Sequence, residues 1–122
     1  MKYRESEAIE LKKSTSELKE AIISISAILN KHGQGELYFG IKPDGSCIGQ
    51  DVGSKTLRDI SQAISENIEP KIYPKIQQIK INNKTCLKVS FEGKDAPYFA
   101  YGRAYMRVAD ENRQISAREL EH

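Results

Sequence analysis

The sequence has no apolar run long enough to cross a membrane: its longest, Ala21 to Leu29, is interrupted by Ser24 and Ser26. A span needs ~20 residues. Behind the charges of Met1 to Glu7 there is no apolar h-region, so no secretory signal is legible and the expected location is cytoplasmic. Cysteine is scarce, and Cys47 and Cys86 are spaced neither as a metal pair nor as a disulfide framework, which leaves small core or strand positions for both. Histidine is equally scarce. Leu120-Glu121-His122 reads as the start of an expression tag, so His32 stands alone and no histidine metal triad can form. The formal net charge of +2 is too small to identify a polyanion binder from charge alone.

What is present is the composition of a folded globular chain, 39% hydrophobic and 30% charged over 122 residues, the size of one domain, here placed at residues 1–119. No repeat or Pro/Gly/Ser-rich linker divides it. Tyr3 to Lys12 suits a short strand. Ser14-Thr15-Ser16-Glu17 has capping-box spacing, and Leu18, Ala21, Ile22, Ile25, Ile28 and Leu29 line one face of the helix it would open, with Gly33 as its stop. Leu37 to Ile41, then Pro43-Asp44-Gly45 and Cys47-Ile48-Gly49, predict a β-hairpin. Ser54 would cap a second helix through Leu57, Ile60, Ala63, Ile64 and Ile68, ended by Pro70. A second hairpin turns at Asn82-Asn83, Tyr98 to Val108 reads as extended, and Ser116 to Glu119 as the start of a final helix. The order β-α-ββ-α-ββ-β predicts the α+β class, a mixed sheet covered by two main helices.

Three constellations carry chemistry. His32-Gly33-Gln34-Gly35 follows a helix and precedes a strand, the reverse of a phosphate loop, so a helix cap and a close approach to the strand explain it better. His32 itself suits the negative end of a helix dipole. Glu5, Glu7 and Glu10 form a carboxylate cluster, the donor type that holds Mg²⁺ or Mn²⁺, although in a regular strand Glu5 and Glu10 point to opposite faces. Tyr98, Tyr101 and Tyr105 interleave with Arg103, Arg107 and Arg113, the mixture that stacks on bases and pairs with phosphates; a tyrosine-rich strand packed on a helix accounts for it equally.

Four segments, read in order, resemble the Schlafen-type AlbA-like domain over nearly the whole chain: Glu5 to Lys12; Ala27 to Asn30 running through Gly33 to Ile41; Asp44-Gly45 with Ile48-Gly49; and Pro97-Tyr98 with Tyr105 to Val108 and Asn112-Arg113. The resemblance implies a nucleic-acid-binding domain of a transcriptional regulator, DNA being favoured over RNA, with further C-terminal domains. Lys12, Lys13, Lys31, Arg103, Arg107 and Arg113 would contact phosphates. Some Schlafen relatives build a metal-dependent ribonuclease from three acidic residues. Glu5 and Glu10 match the first two, whereas the third position holds Lys42 and the nearest acid is Asp44. The expectation is therefore a binding domain needing no cofactor. Its rivals are a nuclease using Mg²⁺ or Mn²⁺ at Glu5, Glu10 and Asp44, and an interaction module whose tyrosine face buries itself in a homodimer.

Overall fold

The computed structural model describes residues 3–121. Its α+β architecture has two four-stranded sheets rather than one, in the orders β1 (Ile9–Lys12), β2 (Gln34–Phe39), β5 (Lys84–Glu92), β4 (Lys75–Ile81) and β3 (Ile68–Glu69), β6 (Phe99–Ala100), β7 (Arg103–Val108), β8 (Glu111–Gln114). Ser14 caps a 3-10 turn, Thr15–Glu17, by accepting from the Ser16 amide, while Glu17 accepts from the Lys13 amide. The expected reciprocal box is thus displaced, and α1 spans Leu18–His32, closed by Gly33 in the left-handed region at φ 76°. α1 contacts strands of both sheets, which is why Ala21, Ile22, Ile25, Ala27, Ile28 and Leu29 are all buried: the helix is apolar nearly all round. Each of the isoleucine and leucine side chains contributes ~1.5–3 kcal/mol by leaving water.

Strand β1, Ile9–Lys12, lies parallel to β2, Gln34–Phe39, and β2 runs antiparallel to β5, Lys84–Glu92. The segment ahead of Ile9 is not strand, so the expected strand from Tyr3 is cut to its last residues. With both edges of β2 occupied, the hairpin predicted over Leu37 to Gly49 reduces to a turn and one bridge, Ile41 to Cys47. β4, Lys75–Ile81, pairs with β5 across Asn82-Asn83, whose φ values of 51° and 65° are those of the tight hairpin turn that asparagine favours. Inward from this sheet point Leu37, Phe39, Leu87, Val89 and Phe91; on its outer face Leu11, Tyr38, Ile41 and Cys86 make a smaller cluster.

α2, Thr56–Asn67, has no side-chain cap from Ser54, and its chain leaves helical geometry at Ile68, two residues before Pro70. Ile68–Glu69 is β3, pairing with β6, Phe99–Ala100. The extended run predicted over Tyr98 to Val108 breaks at Tyr101-Gly102, where φ is 52° and 76°, into β6 and β7, Arg103–Val108. β8, Glu111–Gln114, pairs with β7, and the capping box at Ser116 opens α3, Ala117–Leu120, as read from sequence. His122 lies outside the described residues. Among those residues no helix is long and apolar enough to cross a membrane.

Candidate functional site

Along β7 the side chains alternate, so Arg103, Tyr105 and Arg107 share a face, as the sequence implies. That face turns inward along the strand, from an exposed Arg103 to a buried Arg107. Tyr105 packs partly buried against the main core, and Arg107 is wholly buried at 0% exposure. Its Nη1 donates to Glu10 Oε2 at 3.2 Å and to Asn112 Oδ1 at 2.7 Å; its Nη2 donates to the carbonyls of Ser6 and Ile9. The Ser24 hydroxyl donates to the same Glu10 oxygen at 2.6 Å and accepts from Asn112 Nδ2. Only Nε of the guanidinium lacks a partner. A charge removed from water in this way is tolerable only when paired and hydrogen-bonded, and Glu10, Ser24 and Asn112 supply both. The expectation that Arg107 reaches a phosphate is therefore corrected: its charge is spent inside the fold.

The same network disposes of the metal site. Glu10 is 4% exposed and already faces Arg107, with Lys12 Nζ at 3.7 Å. Glu5 lies outside the strand and accepts from the Leu11 amide at 3.3 Å, while Asp44 sits on an exposed turn and accepts from the Ser46 amide. Among the described residues, no three acidic, histidine or cysteine side chains converge as a metal would require. Glu5, Glu10 and Asp44 do not fit a divalent cation, because the one carboxylate buried deeply enough to anchor it is neutralised by two cations. Glu7 is structural too: it faces His32 Nε2 at 3.0 Å and accepts from the Ala109 amide. The Ala109 amide is the chief cause that holds its carboxyl below the usual range; desolvation opposes it, and His32 and Lys31 add smaller lowering effects.

The remaining cations do not form one patch. Lys12 is mostly shielded beside Glu10; Lys13, Lys31, Arg103 and Arg113 are exposed. Lys13 precedes α1 and Lys31 lies in its last turn, so roughly 20 Å of helix separates them at 1.5 Å per residue. Arg113 pairs with Met106 and so belongs to the opposite face of β7–β8 from Arg107. Two smaller groupings emerge. Lys13 meets Lys84, with Ser14, Ser16 and Thr85, around an open cleft of about 850 Å³ that also holds Glu17 and Asp51. At the β6–β7 hairpin tip, the exposed ring of Tyr101 has Lys19 Nζ 5.4 Å from its centroid and the exposed Arg103 two residues on. Burial, and then Glu20, push the Tyr101 phenol up, so it stays neutral at ordinary pH. Nothing lies within 4 Å of where a side chain at Gly102 would begin.

Tyr98 is buried, and Asn30, which sequence reasoning passes over, is what holds it: Asn30 Nδ2 donates to the carbonyls of Tyr98 and Tyr105, and its Oδ1 accepts from the Tyr98 amide at 2.6 Å. Lys19 and Lys84 also go unsignalled, since each reads as an ordinary solvated lysine.

Residues 5–116 match the family described as Schlafen, AlbA_2. No curated protein matches the chain. Among solved structures, the DIP2311 protein from Corynebacterium diphtheriae superposes with a TM-score of 0.73 at 16% identity, covering 89% of this chain, which spans 22% of that protein's length. The N-terminal domain of an ATP-dependent DNA helicase RecG-related protein from Nitrosomonas europaea gives a TM-score of 0.62 at 22% identity, over 89% of this chain and 79% of that one. At such identities these likenesses show a shared fold.

Proposed function

Because the chain belongs to the Schlafen AlbA_2 family over residues 5–116, we propose that it is a nucleic-acid-binding domain, acting on DNA in preference to RNA, within a regulator of transcription. The observation that carries this reading is the β6–β7 tip. There a neutral, exposed Tyr101 ring has Lys19 Nζ 5.4 Å from its centroid, with the exposed Arg103 two residues on and open space around Gly102. An exposed aromatic ring with cations nearby can stack on a base while the cations pair with the adjoining phosphates. Lys13 and Lys84 would add phosphate contacts from the cleft. The preference for DNA rests on the RecG-related protein, which shares the fold and is named for a DNA helicase.

The test is a fluorescence-anisotropy titration of labelled single- and double-stranded DNA and RNA at two salt concentrations. Binding should weaken as salt rises, because displaced counterions drive it. Arg103→Ala should lower the salt slope by about 1, and Tyr101→Ala should cost ~1–3 kcal/mol on single strands. An affinity indifferent to salt, or an Arg103→Ala/Tyr101→Ala double variant that binds like the wild type, would sink the proposal.

A further inference from the structure

Cys47 and Cys86 are separated by 39 residues, yet their sulfurs lie 3.1 Å apart. Cys86 sits in β5 with no exposure, and Cys47 is half-buried on the segment between β2 and α2. Backbone bonds fix both positions: Ile41 bridges to Cys47, and Cys86 is paired with Ile79. The disulfide bond length of ~2.05 Å is therefore reached by closing the sulfurs about 1 Å, with no rearrangement of strands. The residues that follow Cys47 and precede Cys86 are the facing walls of the Lys13–Lys84 cleft: Ile48, Gly49 and Gln50 on one side, Lys84 and Thr85 on the other. In the dithiol form those walls are joined by single hydrogen bonds, Gln50 N to the Thr85 carbonyl at 2.7 Å and Lys84 Nζ to the Cys47 carbonyl at 3.3 Å.

We propose that Cys47 and Cys86 are a reversible dithiol–disulfide pair, oxidised by hydrogen peroxide, whose bridge staples the two walls of this cleft together. The more accessible Cys47 reacts first: its thiolate attacks one peroxide oxygen, the O–O bond breaks, and with proton uptake water leaves and a sulfenic acid remains. Cys86, after losing its proton, attacks the Cys47 sulfur, the S–O bond breaks, and a second water leaves as the disulfide forms. Two thiols and one peroxide thus give one disulfide and two waters. The order follows from the surroundings, since burial, and then the Cys47 thiol, push the Cys86 thiol up to about 12 and make it the slower nucleophile.

The test exposes the native full chain to hydrogen peroxide, follows intact mass and free thiols, and maps linked peptides. The expected result is a loss of about 2 Da with both thiols consumed, a Cys47–Cys86 linked peptide, full reversal by dithiothreitol, and bridging that is faster in the native chain than in guanidinium. Hydrogen exchange at Ile48 to Gln50 should slow in the oxidised form. Cys86→Ala should leave Cys47 as a sulfenic acid that dimedone captures. If that variant unfolds, the wild-type mass and peptide map still decide. Two thiols left free, over-oxidation of Cys47 without a bridge, or linkage only between chains would each overturn the proposal.

Discussion

Replacing Arg107 by methionine removes the guanidinium while keeping much of the side chain's length, and so isolates the charge from the packing. Glu10, 4% exposed, would be left with the Ser24 hydroxyl and Lys12 alone, and the Ser6 and Ile9 carbonyls and Asn112 Oδ1 would each lose a donor. Removing one partner of a buried pair costs about 3–5 kcal/mol, because the other charge stays behind uncompensated. At about 2.1 cal/mol/K per residue, the 122-residue chain has an unfolding entropy near 0.26 kcal/mol/K, so the melting temperature should fall by ~12–20 °C. Urea and thermal unfolding would measure this directly. A double-mutant cycle with Glu10→Gln should show that the two losses do not add, since both variants break the same contact. Anisotropy below the melting range should find nucleic-acid affinity unchanged. A cost under ~1 kcal/mol, the value for a surface ion pair, together with weaker binding, would place Arg107 in solvent and refute the argument.

Asn30→Ala strands the Tyr98 and Tyr105 carbonyls and the Tyr98 amide, and should cost roughly 1–3 kcal/mol by urea denaturation, with Tyr98 losing protection from solvent. A methyl at Gly35 would sit 2.6 Å from Ile28 Cγ2 and 2.7 Å from the Ala8 carbonyl, so Gly35→Ala should destabilise by ~1–3 kcal/mol through overpacking. Glu7 has a folded pKa depressed below its ordinary 4.5, so its stabilisation is present above that value and is lost as pH falls through the lower folded one. Glu7→Gln should accordingly narrow the gap in melting temperature between neutral and strongly acidic buffer, and an unchanged gap would show that Glu7 makes no such contribution.

How far the fold is legible depends on whether a residue's partner is local. Asn82-Asn83, Gly33 and the Ser116–Glu119 box declare themselves because the hydrogen bonds or dihedrals they satisfy lie within a few residues. β8 does not: Glu111 to Gln114 is entirely polar, and only pairing with β7 makes it a strand. The second sheet escapes for the same reason, since β3 and β6 are two residues each and carry no periodicity. Arg107 misleads more actively. Alternation along β7 puts Arg103, Tyr105 and Arg107 on one side, and the phosphate-pairing expected of these arginines fails at the buried Arg107. The correcting signal is Ser24, a polar residue amid the apolar positions of α1, which announces a buried polar partner without saying which strand supplies it. Tyr101 and Arg103 are legible as aromatic and cation; that Lys19 joins them is a tertiary fact.

The guanidinium of Arg107 reaches the Ser6 and Ile9 carbonyls across about a hundred residues of chain, and α1 is clasped by strands made just before and long after it. A nascent chain emerging at ~5–20 residues per second therefore completes α1 and the first sheet while the side of that helix that meets the second sheet still waits for β7. Until then Glu10 has Lys12 beside it but lacks Arg107. Native packing around α1 is therefore completed only once β7 and β8 have cleared the exit tunnel.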